Sequence, residues 1–127
     1  ACGAAGPTPT VTPLPGCAAS NGKQVYSLLE TYAGDWEKAA NRADTAQPAA
    51  MAPEIEALQK IRQDLNAQQW PACGKAAQAA FVTLMDTTIE GFTAEMNLKP
   101  RAESNAILER TRAQKETFQA EVQKLPR

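Results

Sequence analysis

The chain has 127 residues and a formal net charge of −1, enough for one domain with a modest core. That balance argues against a dedicated nucleic-acid binder, which needs a concentrated basic surface to displace counterions from phosphates. Histidine is absent, which removes the commonest general base, metal ligand and haem ligand together. Hydrophobic residues make up 43% of the chain, but many are alanines, so the core must be thin and its elements close together. Alanine, glutamine, glutamate, lysine and leucine all favour helix. No run of alternating β-branched residues argues for sheet. The class expected is therefore all-α.

Residues Ala1–Gly16 read ACGAAGPTPTVTPLPG. Prolines at 7, 9, 13 and 15 forbid a helix and favour polyproline II. This predicts an extended Pro/Thr-rich tether, and the fourteen residues from Gly3 to Gly16 would reach about 43 Å at ~3.1 Å each. A first helix is predicted to begin near Ser20 or Asn21, either of which can cap it. Val25, Leu28, Leu29, Tyr32, Trp36, Ala39, Ala40 and Ala43 form its apolar stripe at helical spacing, and it ends before Pro48. A second helix starts between Pro48 and Pro53, since proline is welcome in a first turn. Its inner face and edge are Met51, Ile55, Leu58, Ile61, Arg62 and Leu65, and it stops near Trp70-Pro71.

The third helix is predicted from about Ala72 to Leu98. Its stripe is Cys73, Ala77, Ala80, Phe81, Leu84, Met85, Thr88, Ile89, Phe92 and Met96. Asn97-Leu98-Lys99-Pro100 is a stop signal. A fourth helix runs from about Arg101 to Lys124, with Ile107, Leu108, Thr111, Phe118, Val122 and Leu125 inward. The links are two to six residues long, and short links force antiparallel neighbours. The expectation is an up-down-up-down four-helix bundle over residues 19–127, preceded by a tether over 1–18. From Lys99 onward seven basic residues face four acidic ones, so this part carries +3 and the rest −4. Such an asymmetry is usually a matter of solvated helix faces, but it can also pair two helices or orient a molecule at a surface.

Cys2, Cys17 and Cys73 are the only cysteines. They lack metal-finger spacing, and no CxxC motif is present. Cys17 lies just ahead of the first helix and Cys73 in the first turn of the third. In an up-down-up-down bundle those two helix starts share one end, so the topology predicts a Cys17–Cys73 disulfide. Its alternative is a buried free Cys73 and an exposed Cys17. A disulfide implies an oxidising, extracytoplasmic compartment. Cys2 is then left over, and an odd cysteine in an exported protein needs an explanation.

The start Ala1-Cys2-Gly3, followed by the Pro/Thr tether, resembles the N-terminus of bacterial lipoproteins. In that family a signal peptide ends in a small residue before a cysteine that receives a diacylglycerol thioether. The resemblance covers residues 1–16 only and implies a lipid anchor at Cys2, with membrane or cell-surface localisation. In that family the mature chain begins at the cysteine; here Ala1 precedes it. Two acyl chains give stable anchoring where one is marginal. An intermolecular disulfide is the other use open to Cys2.

Few constellations suggest chemistry. Asp86 and Glu90 lie four residues apart, so their carboxylates share a helix face; paired carboxylates serve glycosidases, but these two are expected to face water. Glu54 and Glu56 follow Pro53, where acidic groups complement the helix dipole. Met51, Met85 and Met96 carry thioethers suited to copper(I), yet sit on apolar stripes and are expected to fill the core. Ser20, Ser27 and Ser104 lack a base, and neither a GxSxG nor a phosphate loop occurs. No catalytic residue, metal or cofactor is therefore expected. Tyr26, Trp36 and Trp70 remain as candidates for partner binding, because aromatic residues dominate interface hot spots; equally, Trp36 can fill the core and Trp70 cover the disulfide end. The sequence thus predicts a non-catalytic, membrane-anchored interaction module with a protein partner. Its alternative is a carrier of a small apolar ligand held between the helices.

Overall fold

A computed structural model describes residues 17–126. The tether and Cys2 lie outside the described residues. The described chain forms an all-α four-helix bundle: α1 (Ala19–Thr45), α2 (Ala52–Ala67), α3 (Lys75–Met96) and α4 (Arg101–Gln123). Single 3-10 turns, Pro48–Ala50 and Ala72–Gly74, precede α2 and α3. Each opens where a proline rejects continuation of the preceding helix but accepts a first turn.

The helix ends follow local chemistry, with two departures from expectation. Ser20 and Asn21 do not occupy the cap of α1; that position is Ala18. Asn21 acts from the third helical residue instead, its Oδ1 accepting the Ala18 backbone N–H at 3.1 Å. This is the returning half of a capping box, and alanine has no oxygen to supply the other half. At the end of α3 the backbone closes a Schellman motif. Lys99 N–H donates to the Ala94 carbonyl and Leu98 N–H to that of Glu95, both at 3.0 Å. The motif needs a left-handed residue, and Leu98 takes that conformation with φ 56°. Glycine is the usual occupant, because a Cβ is penalised there.

The inward stripes are those the periodicity marks. Val25, Leu29, Ala39 and Ala43 of α1, Leu58 and Leu65 of α2, and Ala77, Phe81 and Met85 of α3 are buried in one cluster. Phe118 of α4 completes it, its ring tilted by 31° against Phe81 with centroids 4.5 Å apart. That spacing lies in the favourable range for aromatic pairs. Met51 is also buried, as is Thr87, which breaks the apolar stripe of α3. Leu108 departs from expectation: it is 48% exposed. It lies one residue, about 100° of helix, from the buried Ile107.

Three seams join the helices in chain order: α1 to α2, α2 to α3, and α3 to α4. Each carries one ion pair across it. Arg42 meets Glu54 at 3.3 Å, Arg62 meets Asp86 at 2.8 Å, and Arg110 meets Glu90 at 2.8 Å. Gln78 of α3 adds a polar tie, donating to the Leu65 and Gln68 carbonyls at 2.8 and 3.1 Å. It thereby supplies a donor to the Gln68 carbonyl beyond the end of α2 and a second donor to that of Leu65, which also accepts the Gln68 N–H at 3.2 Å.

At one end of the bundle Cys17 is disulfide-bonded to Cys73, with Cα atoms 5.4 Å apart. Both cysteines are buried, as are Trp70 and Leu125 nearby in the core cluster. The chain end also closes over this region. A Cβ on Gly22 would overlap the carbonyl of Pro126, and one on Gly74 would come within 3.0 Å of Val25 and 3.3 Å of Trp70. Glycine is required at both positions by close approach rather than by backbone angle.

Candidate interaction surface

The fourth seam, between α1 and α4, is different. Apart from the Pro126 contact, the two backbones stay apart along most of their length. Two open hollows mark the gap. One, of about 650 Å³, lies at the α3–α4 corner and is lined by Asp44 of α1, Phe92 of α3, and Leu98, Arg101, Ile107 and Leu108 among others. The other, of about 530 Å³, lies toward the disulfide end between Tyr26, Leu29, Glu30 and Ala33 of α1 and Phe118, Gln119 and Val122 of α4. Both volumes fall in the range of small-molecule sites, but both hollows are open to solvent rather than enclosed.

The gap has a sequence cause. Toward α4, α1 presents Ala33 and Ala40 in the middle of its length, and the half-buried residues in the middle of α4 are the polar Thr111 and Gln114, the latter with a buried Oε1 that has no hydrogen-bond partner among the described residues. Small residues on one wall and polar ones on the other leave no interdigitating apolar layer to draw the two together. On the other side α4 meets α3 at Gly91, where an added Cβ would sit 3.3 Å from Ile107. The missing side chain lets α4 lean onto α3 and away from α1.

Two exposed apolar side chains border the wider hollow. Leu108 is 48% and Leu98 77% exposed, and these are the large hydrophobic residues most open to solvent among those described. Leu98 breaks two local rules at once, being apolar in water and left-handed without being glycine. Such outliers concentrate at binding and switch sites.

The aromatic candidates are placed unequally. Trp36 is 8% and Trp70 5% exposed, so neither offers a surface to a partner. Trp36 fills the core of α1's inner face. Trp70 lies against Gly74 beside the disulfide, and its Nε1–H has no hydrogen-bond partner among the described residues. Tyr26 alone of the three borders the open seam, half-buried in the smaller hollow. Sequence reasoning missed Leu98 and Phe92 as surface-forming residues. The one available signal was a leucine standing where a helix stop favours glycine or asparagine.

The acidic candidates belong to the packing. Asp86 and Glu90 face water as expected, each about half exposed, and each also reaches across a seam, Asp86 to Arg62 of α2 and Glu90 to Arg110 of α4. The hydrogen bond and charge of Glu90 raise the pKa of the Arg110 guanidinium further. Glu54 stands in the first turn of α2 and holds Arg42. Met85 is in the core cluster and Met51 is buried close to the start of α2. Among the described residues no group of three or more cysteine and carboxylate side chains is placed to share a metal ion. No described helix is long and apolar enough to cross a membrane. No protein-family model, curated protein or solved structure matches the chain.

Proposed function

We propose that this protein is a non-catalytic, exported and membrane-anchored interaction module. In this reading Cys2 carries the lipid, residues 1–18 are the spacer, and the bundle binds a protein partner as an accessory part of a membrane-associated assembly. The observation that carries it is the open α1–α4 seam with Leu98 and Leu108 displayed beside it. Exposed apolar side chains gathered at one concave place mark interaction sites more often than scattered ones do. The disulfide fixes Cys17 at the opposite end of the bundle from the α3–α4 corner. A chain anchored through its N-terminus would therefore join its spacer at the end of the bundle away from that corner. The reading assigns no catalytic residue, metal or cofactor.

Extraction of native membranes with mild detergent, followed by co-purification, tests this reading. It predicts an acylated chain recovered with at least one other membrane-associated protein. Recovery of a lone soluble chain without acyl groups would remove both anchor and assembly. The 650 Å³ hollow, partly walled by Phe92, Ile107 and Leu108, favours a second reading, carriage of a small apolar ligand. A native mass spectrum showing a stoichiometric small-molecule adduct would move the assignment there.

A further inference from the structure

The charges along the open seam are sorted by wall. Glu30 and Asp44 of α1 line the two hollows. They stand fourteen residues apart on one helix face, with Glu37 midway at heptad spacing. On α4, Leu108 lines one hollow and Gln119 the other. Arg112 and Lys115 lie between them at helical spacing from both, on the same face, and Arg101 lines the corner hollow. The α1 wall is thus mainly acidic and the α4 wall mainly basic, with Lys23 continuing the α1 stripe at the disulfide end and Glu95 of α3 standing beside Arg101 in the corner hollow. Arg112 has only Glu109 of its own helix, at 3.8 Å. Glu30, Glu37, Asp44, Arg101 and Lys115 make no ion pair among the described residues, and none crosses this seam, although each of the other three seams has one. Between the charged rims run Tyr26, Ala33, Phe92, Leu108 and Phe118.

We propose that the α1–α4 face is a self-association surface, and that its occupant is a second copy of this chain. A face with one acidic and one basic wall is complementary to itself under one choice of two-fold axis. An axis parallel to the helices lays α1 of each copy over α4 of the other. Residues keep their level along the bundle, so Asp44 meets the Arg101 end, Glu37 meets Arg112 and Lys115, and Glu30 meets the Gln119 region. An axis across the helices lays α1 on α1 and α4 on α4, opposing like charges. Like-charge juxtaposition suppresses wrong pairings, so the charge pattern selects the first arrangement. The four helices α1, α4 and their symmetry mates then make a second bundle at the centre of the dimer.

The size is adequate. α4 is 23 residues long, about 35 Å at 1.5 Å per residue, and two helices abreast are roughly 20 Å wide. The face is then about 700 Å², close to the ~800 Å² per partner of a standard interface. This proposal rests on the interaction-module reading and names the partner for its seam.

The test uses the full chain carrying Cys2→Ser, so that the free thiol cannot bridge copies. Sedimentation equilibrium from micromolar to millimolar concentration is expected to show a monomer–dimer equilibrium that weakens with added salt. Glu37→Lys places two like-charge contacts in each dimer and is expected to weaken it by about tenfold or more. Lys115→Glu does the same, and the double variant Glu37→Lys/Lys115→Glu restores dimerisation. Mixing a Glu37→Cys chain with an Arg112→Cys chain is expected to give a mixed disulfide dimer, because these two positions share a level, while Glu37→Cys alone does not cross-link to itself. A monomer at millimolar concentration, additive losses in the double variant, or a disulfide dimer formed by the Glu37→Cys chain alone would each overturn the proposal. A monomer that nonetheless co-purifies with another membrane protein overturns the dimer while leaving the module reading intact; one recovered alone removes both.

Discussion

Two glycines of α1 provide a test of opposite signs for the same substitution. Gly34 has no atom within 4 Å of an added Cβ. Gly34→Ala therefore gains the helix propensity difference alone, about 1 kcal/mol of stability. Gly22→Ala gains the same propensity but meets the Pro126 carbonyl and, at 2.9 Å, its Cγ. The backbone of α1 has little freedom to retreat, because Cys17 five residues earlier is bonded to Cys73. The chain end must lift instead. Leu125, now 5% exposed, then loses its burial, worth about 1.5–3 kcal/mol for a leucine side chain. Set against the propensity gain, the net effect is a destabilisation of about 0.5–2 kcal/mol. Urea unfolding followed by circular dichroism measures both, and an unchanged slope shows that the midpoint shift is one of stability. If Gly22→Ala raises the midpoint as Gly34→Ala does, the packing of the chain end on α1 is refuted.

Other perturbations have expected outcomes of their own. Replacing Cys17 and Cys73 by serine opens a loop of about 57 residues and is expected to cost about 4 kcal/mol on the chain-entropy model; a melting temperature unmoved by reductant in the parent chain would contradict this. Leu98→Gly relieves a left-handed leucine and is expected to raise stability by about 0.5–1 kcal/mol, measured by urea unfolding, while weakening capture of any partner seated at the corner. Phe118→Ala removes the ring stacked on Phe81 and is expected to cost about 2–3 kcal/mol, below the usual loss for a fully buried phenylalanine, since Phe118 is only half-buried. Arg62→Ala is expected to cost less than about 1 kcal/mol, as is usual for an exposed ion pair, and a thermal melt resolves it from the phenylalanine variant.

The four helices, their stops and most of their inward residues were legible in the chain itself. Proline placement at 48, 53, 71 and 100 punctuates the helices, because a ring without an N–H cannot continue the ladder. The spacing of Val25, Leu29, Trp36 and Ala43, or of Phe81, Leu84 and Met85, marks a buried face without reference to what covers it. The Cys17–Cys73 pairing followed from antiparallel order once the helices were placed. Periodicity was less decisive for α4. Leu108 shares the apolar character of Ile107, but only contact with α3 decides which of two adjacent leucine-like residues is covered. The aromatic residues were likewise ambiguous: Trp36, Trp70 and Tyr26 read alike in sequence, and packing buried the first two and left the third beside an opening.

What the sequence by itself determined is therefore the set of elements, their order, the end at which the disulfide closes, and which charged residues each helix carries. What only the tertiary structure decided is which seam remains open. A helical stripe specifies a face and not a neighbour, and a charge finds its partner only when two backbones come within reach. Arg42, Arg62 and Arg110 found carboxylates across closed seams. Glu37 and Lys115 carry equally suitable charges but form no ion pair, because α1 and α4 stay apart along most of their length, and that separation is what the proposed self-association would use.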